Sequence, residues 1–264
     1  MISVPGPVVE VRSQPPVGAI VLNRPHRRNA LSRDTLRRIG EALFDLHQEP
    51  KVRAIVLSGQ GHSFCAGADL QEISDTSGQD NAWEMWHRDT MLYKELLEKM
   101  LRFPKPIIAA VHGAALGAGC GLVLASDLVL ATPEATFGLP APRRGLVAGM
   151  VAPLLNFRVG GSQAARMLLT GSTIATPEAL RVGLVHESVA QEEIYDRACE
   201  LTNEIALCAP SAIQLTKRML NETVGEHLET LLSAGAAATA TARTTEAAAE
   251  GIKAFLEKRD PDWS

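Results

Sequence analysis

The hydrophobic positions in the first two thirds of the chain fall into short runs bounded by polar and turn residues. Runs of this length that are rich in valine, isoleucine and leucine predict β-strands. Five of them are visible: VVEV at 8–11, GAIVLN at 18–23, AIVLSG at 54–59, IIAAV at 107–111 and DLVLA at 127–131. The pattern therefore predicts a sheet whose strands come from separate segments of the chain.

A different spacing between the second and third runs predicts a helix. Apolar residues recur there every three or four positions, which places them on one helical face, and Ser32 lies where an N-cap residue is expected. These apolar positions are Leu36, Ile39, Leu43 and Leu46. Strands that alternate with helices indicate βαβ crossover units, so we predict an α/β fold with a mainly parallel or mixed sheet.

Beyond about residue 190 the strand pattern gives way to helical spacing. We predict helices over 190–207, 210–223 and the alanine- and threonine-rich segment 234–258. Low complexity makes disorder the competing interpretation of that last segment, but alanine is the best helix former and the segment ends in apolar residues. We divide the chain into a core at 1–189 and a helical C-terminal lobe at 190–264, whose small side chains suit self-association.

The apolar stretch at 107–124 approaches the length of a membrane-spanning helix. Prolines at 104 and 106 precede it and glycines interrupt it, so the stretch divides into strand, turn and helix instead. The net charge of −4 over 264 residues offers no basic surface for nucleic acid or anionic lipid. We expect neither a membrane nor a nucleic acid as a partner.

Cysteine usage is typical of a cytoplasmic protein with reduced thiols. The four cysteines form no C-x-x-C pair, and the chain does not open with a charged segment followed by an apolar one. His62 and Cys65 lie close together in the sequence, but no second pair follows at ligand spacing. We therefore predict no metal site.

Two glycine-rich turns can offer backbone N–H groups to a ligand. The first is GHSFCAGADL at 61–70, and the second is GAALGAGCGL at 113–122, which opens a predicted helix. Free N–H groups and the positive end of a helix dipole favour negative charge, and two such donors make an oxyanion hole. Tight packing is the alternative for each turn, and a nucleotide P-loop is excluded because the second turn lacks the G-K-[ST] ending.

Six motifs in order along the chain resemble the crotonase superfamily, also called the enoyl-CoA hydratase/isomerase family. No single motif is decisive, but the set at this spacing is specific. The motifs are VLNRPHRRNAL (21–31), FCAGADL (64–70), PKPIIAAVHGAALGAGCGLVLASD (104–127), ATFGLP (135–140), LLTGSTIATPEALRVGLVHESV (168–189) and FLEKRDP (255–261). The resemblance implies a spiral of βαβ units followed by a helical trimerisation lobe, and a homotrimer or a dimer of trimers.

The resemblance also implies a binding site for an acyl-CoA thioester between the two turns. The thioester carbonyl would be held by the backbone N–H groups of Ala68 and Ala118. Coenzyme A would enter as part of the substrate, without a tightly bound cofactor. Its contacts map to Arg28, Ala30, His62, Ala66 and Lys258, the last from the tail of a neighbouring subunit.

The glutamates that serve as acid and base in hydratases of this family are absent here. The aligned positions carry Gly121 and Ala141, and a third acidic position, used by some isomerases of the family, carries Gly149. Since the turn pattern itself does not demand glycine at 121, we interpret Gly121 as the loss of a catalytic group. Cys120 beside it is expected to be a structural thiol.

The segment after the first turn contains residues that could act as bases in place of the absent glutamates. Glu72, Asp75, Glu84 and His87 lie there, and the resemblance implies that this segment lines the acyl pocket. His87 is the candidate whose ordinary pKa suits proton transfer near neutrality, and a plain surface histidine is the alternative.

Three hypotheses follow. The first is an acyl-CoA enzyme, a lyase or isomerase, that stabilises an enolate and lacks classical hydration. The second is a non-catalytic acyl-CoA binding protein of the same fold. The third is a structural oligomer with a closed pocket.

Overall fold

The computed structural model describes residues 6–223 and 227–263. Its strands form one six-stranded and one three-stranded sheet. The strands are β1 (Val9–Gln14), β2 (Val17–Leu22), β3 (Ala54–Gly59), β4 (Ile107–Val111), β5 (Ala114–Leu116), β6 (Leu128–Ala131), β7 (Thr136–Gly138), β8 (Thr173–Ala175) and β9 (Glu187–Ser188). The helices are α1 (Arg33–Gln48), α2 (Leu70–Ser77), α3 (Ala82–Arg102), α4 (Ala118–Leu124), α5 (Val151–Val159), α6 (Gly161–Thr170), α7 (Thr176–Arg181), α8 (Ile194–Ala206), α9 (Pro210–Arg218), α10 (Leu228–Ala242) and α11 (Glu246–Glu257).

The larger sheet has the order β1-β2-β3-β4-β6-β9 and is parallel except for the antiparallel β1–β2 pair. Helices α2 and α3 connect β3 to the parallel β4, and α4 lies between β4 and the parallel β6, which makes these connections βαβ crossovers. The smaller sheet has the order β5-β7-β8. The predicted α/β class with βαβ units is confirmed.

Both faces of the larger sheet are covered, which explains why its central strands are apolar throughout. Successive side chains of a strand point to opposite faces. Ile55 and Leu57 therefore pack in the main core with α1 and α3, whereas Ala54 and Val56 pack under Ile194 of α8. Burial on both faces is the expected condition of parallel strands.

The predicted strands and the first helix are confirmed, with ends shifted by a few residues. The Ser32 hydroxyl accepts the Thr35 N–H at 3.2 Å, so it is the N-cap of α1. The stretch at 107–124 forms strand, turn, strand and short helix, as its glycines indicated, apart from the additional strand β5. Over residues 6–223 and 227–263, no helix has both the length and the apolar character needed to cross a bilayer.

The C-terminal region is helical in its described part, including the alanine-rich segment for which disorder was the alternative. Helix α9 continues as a π-turn over Met219–Thr223. Helix α8 covers one face of the larger sheet, α10 packs on α3 and α5, and α11 packs on α2. An extensive apolar interface thus joins the helices beyond residue 190 to the core; the boundary at 189 and 190 stays a prediction.

A buried ion pair ties this region to the sheet. Lys217 of α9 donates to the Asp127 carboxylate at 2.7 Å, and Asp127 also accepts the Ile107 N–H at 2.7 Å. The Lys217 side chain is 6% exposed, and burial lowers its pKa despite the carboxylate. Asp127, which follows an apolar run in the sequence, is therefore an ion-paired structural residue.

We expect Lys217→Met to lower the free energy of unfolding by about 3 kcal/mol, because it leaves Asp127 without its cation. The matched control is Arg38→Met, since Arg38 forms ion pairs at a side chain that is 58% exposed and should contribute less than about 1 kcal/mol. Urea unfolding followed by circular dichroism measures both. Equal losses in the two variants would contradict the structural role of the buried pair.

Candidate active site

The two glycine-rich turns lie side by side and are joined by backbone hydrogen bonds. The Cys65 N–H donates to Ala114 O at 3.0 Å, and the Leu116 N–H donates to Cys65 O at 2.9 Å. Gly67 has φ of +99°, and a Cβ there would lie 2.8 Å from Leu116 O and 3.3 Å from Ala118 N. Only glycine allows this conformation and this approach together.

The approach brings two free N–H groups to one place. Ala118 is the first residue of α4, where the N–H has no intrahelical partner. Ala68 lies opposite Leu31, but the hydrogen bonds between these segments are made by the residues on either side of Ala68. The Leu31 N–H donates to Gly67 O, and the Asp69 N–H donates to Leu31 O. Within the described part of the chain, neither the Ala68 nor the Ala118 N–H has a hydrogen-bond acceptor. Both residues border the same cavity.

Asn29 holds the first motif against the first turn. Its side chain is buried, and its Nδ2 donates to Gln60 O at 2.9 Å and to Ser63 O at 2.8 Å. Its Oδ1 accepts the Arg24 N–H at 2.9 Å. Arg24 in turn pairs with Asp69, the N-cap of α2, at 2.9 Å. Sequence reasoning did not single out Asn29. Its φ of 56° lies in the left-handed region, where asparagine is enriched among non-glycine residues, but this conformation is visible only in the structure.

A cavity of about 570 Å³ lies in front of the two turns. Its wall includes most of the residues that the resemblance implied for the thioester and coenzyme A, namely Arg28, Ala30, Ala66, Ala68, Ala118, Ala141 and Lys258. His62 is exposed and lies outside this wall. A contact from His62 to coenzyme A stays a prediction. The open cavity also argues against a structural oligomer with a closed pocket.

Lys258 reaches the cavity from its own chain, whereas we expected it from the tail of a neighbouring subunit. Helix α11 packs on the 3-10 segment Ala141–Arg144, so closely that a Cβ on Gly251 would lie 2.4 Å from backbone atoms of Arg144. Lys258 follows as the C-cap of this helix, exposed and with φ of 57°. The chain therefore brings a cation to its own cavity mouth, where Arg28 is also exposed.

His87 is not part of the site, which corrects its prediction as a candidate base. Its ring stacks on Trp83, with ring centroids 5.5 Å apart, and Trp83 is 54% exposed. Glu84 forms a surface ion pair with Arg88, and Asp75 accepts a hydrogen bond from Gln71. Of the four candidates, Glu72 alone borders the cavity. Asp75 lies on α2 and Glu84 and His87 lie on α3, and none of these three residues borders the cavity.

Gly121 is required by its surroundings, contrary to our interpretation of it as a simple loss of a side chain. A Cβ there would lie 2.0 Å from the Tyr93 hydroxyl oxygen and 3.1 Å from Val151 Cγ2. Tyr93 comes from α3, and its hydroxyl donates to Ala118 O at 2.6 Å. The phenol therefore fills the volume that a side chain at position 121 would take, and Tyr93 borders the cavity where Gly121 does not.

The other two acidic positions of the resemblance differ from each other. Ala141 begins the segment Ala141–Arg144 and borders the cavity without a proton-accepting group. Gly149 borders the cavity too, but a Cβ there would lie 2.3 Å from Gly235 O of α10. Position 149 is therefore closed to any larger side chain by the backbone of a neighbouring helix.

The thiol beside Gly121 is inert. Burial raises the pKa of Cys120 to about 12, and it raises that of Cys65 to about 12 as well. Both residues are thiols at neutral pH and lack the thiolate that a nucleophile or metal ligand needs. Over residues 6–223 and 227–263, no group of three or more histidine, cysteine, aspartate or glutamate side chains could hold a metal ion.

A cluster of four charged residues on the cavity wall was not foreseen from the sequence. Arg33 of α1 binds Asp89 of α3 through two hydrogen bonds of 2.6 and 2.8 Å, and its backbone N–H donates to Glu72 at 3.0 Å. Arg243, which follows α10, also borders the cavity. The sequence contained one indication of this cluster. Asp89 lies three residues after Trp86 and four before Tyr93, which places it on the helical face of α3 that carries the buried apolar residues.

Comparisons with known proteins identify one family. A family model described as enoyl-CoA hydratase/isomerase matches residues 12–264. The chain is 38% identical over 248 residues to a Thermus thermophilus protein to which the name enoyl-CoA hydratase is given provisionally, with 93% of this chain and 96% of that one covered. It is 35% identical over 254 residues to the 2,3-dehydroadipyl-CoA hydratase of Escherichia coli, with 96% and 97% covered. The solved structure of carnitinyl-CoA hydratase from Mycobacterium avium has a TM-score of 0.84 at 32% identity, with 98% of this chain and 99% of that chain covered.

The contact between Tyr93 and Gly121 predicts a specific coupling in stability. Gly121→Ala should lower the free energy of unfolding by about 2 kcal/mol because its Cβ overlaps the Tyr93 hydroxyl. In a Tyr93→Phe background the nearest remaining ring atom is 3.2 Å away, so the same substitution should cost less than about 1 kcal/mol. A double-mutant cycle by urea unfolding measures the difference.

Gly78→Ala is the matched control, since nothing lies within 4 Å of a Cβ at Gly78 and its φ is −87°. It should be close to neutral in both backgrounds. If Gly121→Ala were equally costly with tyrosine and with phenylalanine at 93, the hydroxyl would not be what excludes a side chain.

Proposed function

The chain belongs to the enoyl-CoA hydratase/isomerase family, and from this premise we propose that it binds an acyl-CoA thioester whose carbonyl oxygen accepts hydrogen bonds from the Ala68 and Ala118 N–H groups. The observation that carries the proposal is the pair of N–H groups that face one cavity without an acceptor in the described residues. The start of α4 adds the positive end of its dipole at the same point.

Two donors at a thioester carbonyl favour chemistry at the α-carbon. When the α-proton leaves, negative charge develops on the carbonyl oxygen, where fixed N–H donors stabilise it without reorganisation. The chain thus performs enolate chemistry in our proposal. Glu72 is the one of the four acidic and basic candidates that borders the cavity, but its carboxylate accepts the Arg33 N–H at 3.0 Å and belongs to the charged cluster of that wall, so we assign it no catalytic role.

Hydration by a pair of glutamates is not part of the proposal. Ala141 has no group that accepts a proton, and the Tyr93 phenol fills the space beside Gly121. Burial raises the pKa of Tyr93 well above its ordinary value, so the phenol stays protonated and cannot serve as a base at neutral pH. Activation of water on both sides of a double bond therefore lacks its usual groups.

The cavity mouth suits coenzyme A as part of the substrate. Arg28 and Lys258 are exposed there, and cations near phosphate groups form strong charge-assisted hydrogen bonds. Two of the relatives described above are named for reactions of CoA thioesters, which supports this class of substrate. We also propose self-association as a trimer or a dimer of trimers, consistent with Leu215, Met219 and Leu220, which are 58–65% exposed.

A non-catalytic acyl-CoA binding protein is the second candidate. It is favoured by the same two positions, since neither Gly121 nor Ala141 offers acid–base chemistry. The two candidates differ in one observable. An enolate-forming enzyme exchanges the α-protons of a bound saturated acyl-CoA with solvent, whereas a binding protein holds the thioester unchanged.

We expect Ala118→Pro to slow solvent exchange of the α-protons of butyryl-CoA in D2O by about 100-fold to 1000-fold, as measured by mass spectrometry. Proline removes the N–H donor and is tolerated at the first position of a helix. The matched control is Gly161→Pro. Like Ala118, Gly161 is the first residue of a helix and follows a glycine of positive φ, but it lies outside the cavity. Unchanged exchange in Ala118→Pro would overturn the role of that N–H, and butyryl-CoA binding without exchange in the parent protein would favour the binding protein.

Crotonyl-CoA should be hydrated below about 0.1 per second. Ordinary enzymes turn over about 1 to 1000 times per second, and loss of each general acid or base removes about 100-fold or more. The measurement is the fall in absorbance of the conjugated thioester at saturating concentration. Turnover of 10 per second or more would contradict the proposal that the glutamate route is absent, whatever the result of the exchange experiment.

A further inference from the structure

Arg243 is a buried cation whose side chain has no hydrogen-bonded partner among the described residues. Its side chain is 9% exposed and borders the cavity, and its Nη1 donates no hydrogen bond within the described residues. The carboxylate oxygen nearest to it is Asp89 Oδ2, at 3.9 Å from Nη1, which is beyond hydrogen-bond distance. A buried donor without an acceptor is rare in native structures and is costly when it carries charge.

The acids near Arg243 are already engaged by Arg33. Both oxygens of Asp89 accept hydrogen bonds from the Arg33 guanidinium. Glu72 accepts the Arg33 N–H with one oxygen and lies 3.8 Å from the Arg33 guanidinium with the other. Arg33 also donates to the Thr76 hydroxyl at 2.9 Å. The hydrogen bonds of the cluster thus satisfy one arginine and leave the second open.

Arg243 keeps its charge in this position. Burial lowers its pKa to about 10, with Asp89 acting in the opposite direction. The group therefore stays protonated at neutral pH. A guanidinium that is charged, buried and short of acceptors on a cavity wall is suited to an anionic ligand group, because its planar fork matches the two oxygens of a carboxylate.

A second cation on the same wall makes the site electrostatically suited to an anion. Arg144 borders the cavity, donates to Pro140 O at 3.2 Å and lies 4.6 Å above the Phe255 ring. It forms no ion pair within the described residues, and burial lowers its pKa. Arg33 and Arg243 balance Asp89 and Glu72, so Arg144 leaves one positive charge in excess, which a carboxylate would neutralise.

The position of the cluster fits the far end of a short acyl group. Asp89 precedes Tyr93 on α3 by four residues, which is a rise of about 6 Å along the helix. The Tyr93 hydroxyl contacts Ala118, whose N–H we assigned to the thioester carbonyl. Tyr93 thus connects the helix that carries the cluster to the turn that carries the donor, and the cluster and both donor residues border one cavity.

We propose that Arg243 binds a carboxylate at the distal end of the acyl group, so that the substrates are CoA thioesters of dicarboxylic acids. This inference rests on the proposed function, since it assumes that an acyl-CoA occupies the cavity. It adds the class of acyl group and assigns specificity to Arg243. The carboxylate would approach the Arg243 guanidinium from the cavity that this residue borders.

The test is the affinity for three thioesters of equal length, adipyl-CoA, 6-hydroxyhexanoyl-CoA and hexanoyl-CoA, by isothermal titration calorimetry. Succinyl-CoA and suberyl-CoA with their monoacyl counterparts extend the comparison to shorter and longer chains. At one length the dicarboxylic thioester should bind at least tenfold more tightly than the other forms. In Arg243→Leu this preference should disappear while hexanoyl-CoA binds with unchanged or higher affinity, and Arg243→Lys should keep part of it.

Arg88→Leu is the matched control, because Arg88 is an arginine of α3 with a side chain that is 76% exposed and lies outside the cavity. It should retain the full preference. Thermal unfolding separates binding from structure: removal of an unpaired buried cation should leave the melting temperature of Arg243→Leu unchanged or raised. A fall of several degrees would assign Arg243 a structural role and overturn the inference.

The outcomes also distinguish this inference from the proposed function. If hexanoyl-CoA binds but no chain length gives a preference for the carboxylate, the inference is overturned and the proposed function stands. If the hydroxyl-ended thioester binds as tightly as the carboxylate-ended one, the site recognises a neutral oxygen and the carboxylate is again excluded. If none of the thioesters binds, the proposed function fails and the inference fails with it.

Discussion

The contact between two backbone turns without any side chain between them is the constraint on which the site depends. Gly67 adopts φ of +99° against Leu116 and Ala118, and a Cβ on Gly119 would lie 2.4 Å from Cys65 O. Because both places are closed to other residues, the N–H groups at Ala68 and Ala118 are held at one cavity by rigid main chain. Donors fixed in this way need no reorganisation when charge develops on a ligand, which is the physical basis of the function that we propose.

A second packing relation changes the meaning of the missing glutamate. Protein interiors are close-packed, so a position that loses its side chain is filled by a neighbour or by a rearrangement. Here Tyr93 fills the volume beside Gly121 and hydrogen-bonds to Ala118, the residue that carries one of the two donors. The Tyr93 ring therefore supports the turn, and a glutamate introduced at 121 alone would lie against that ring.

Charges are arranged differently at the mouth and on the inner wall of the cavity. Arg28 and Lys258 are exposed and solvated. Their charges therefore cost little desolvation free energy and contribute little to the stability of the free protein. On the inner wall Arg33 is fully engaged with Asp89, whereas Arg243 is buried without a hydrogen bond in the described residues. Unsatisfied polar groups and imperfect packing are expected at functional sites. The lack of a hydrogen bond in the described residues distinguishes Arg243 from the hydrogen-bonded structural charges around it.

The sequence alone was sufficient for the strands of the larger sheet except β9, for α1 with its Ser32 cap and for the two turns, because periodicity, capping and turn chemistry are local properties. The family followed from the resemblance of six motifs. Sequence reasoning missed the short strands β5, β7, β8 and β9, which carry too few residues for a period. It also could not decide that His87 faces Trp83, that Lys258 reaches its own cavity, or that Tyr93 occupies the space beside Gly121. Those outcomes depend on which helix faces meet across the fold, and only the tertiary structure brings residues as distant as Asp89 and Arg243 to one wall.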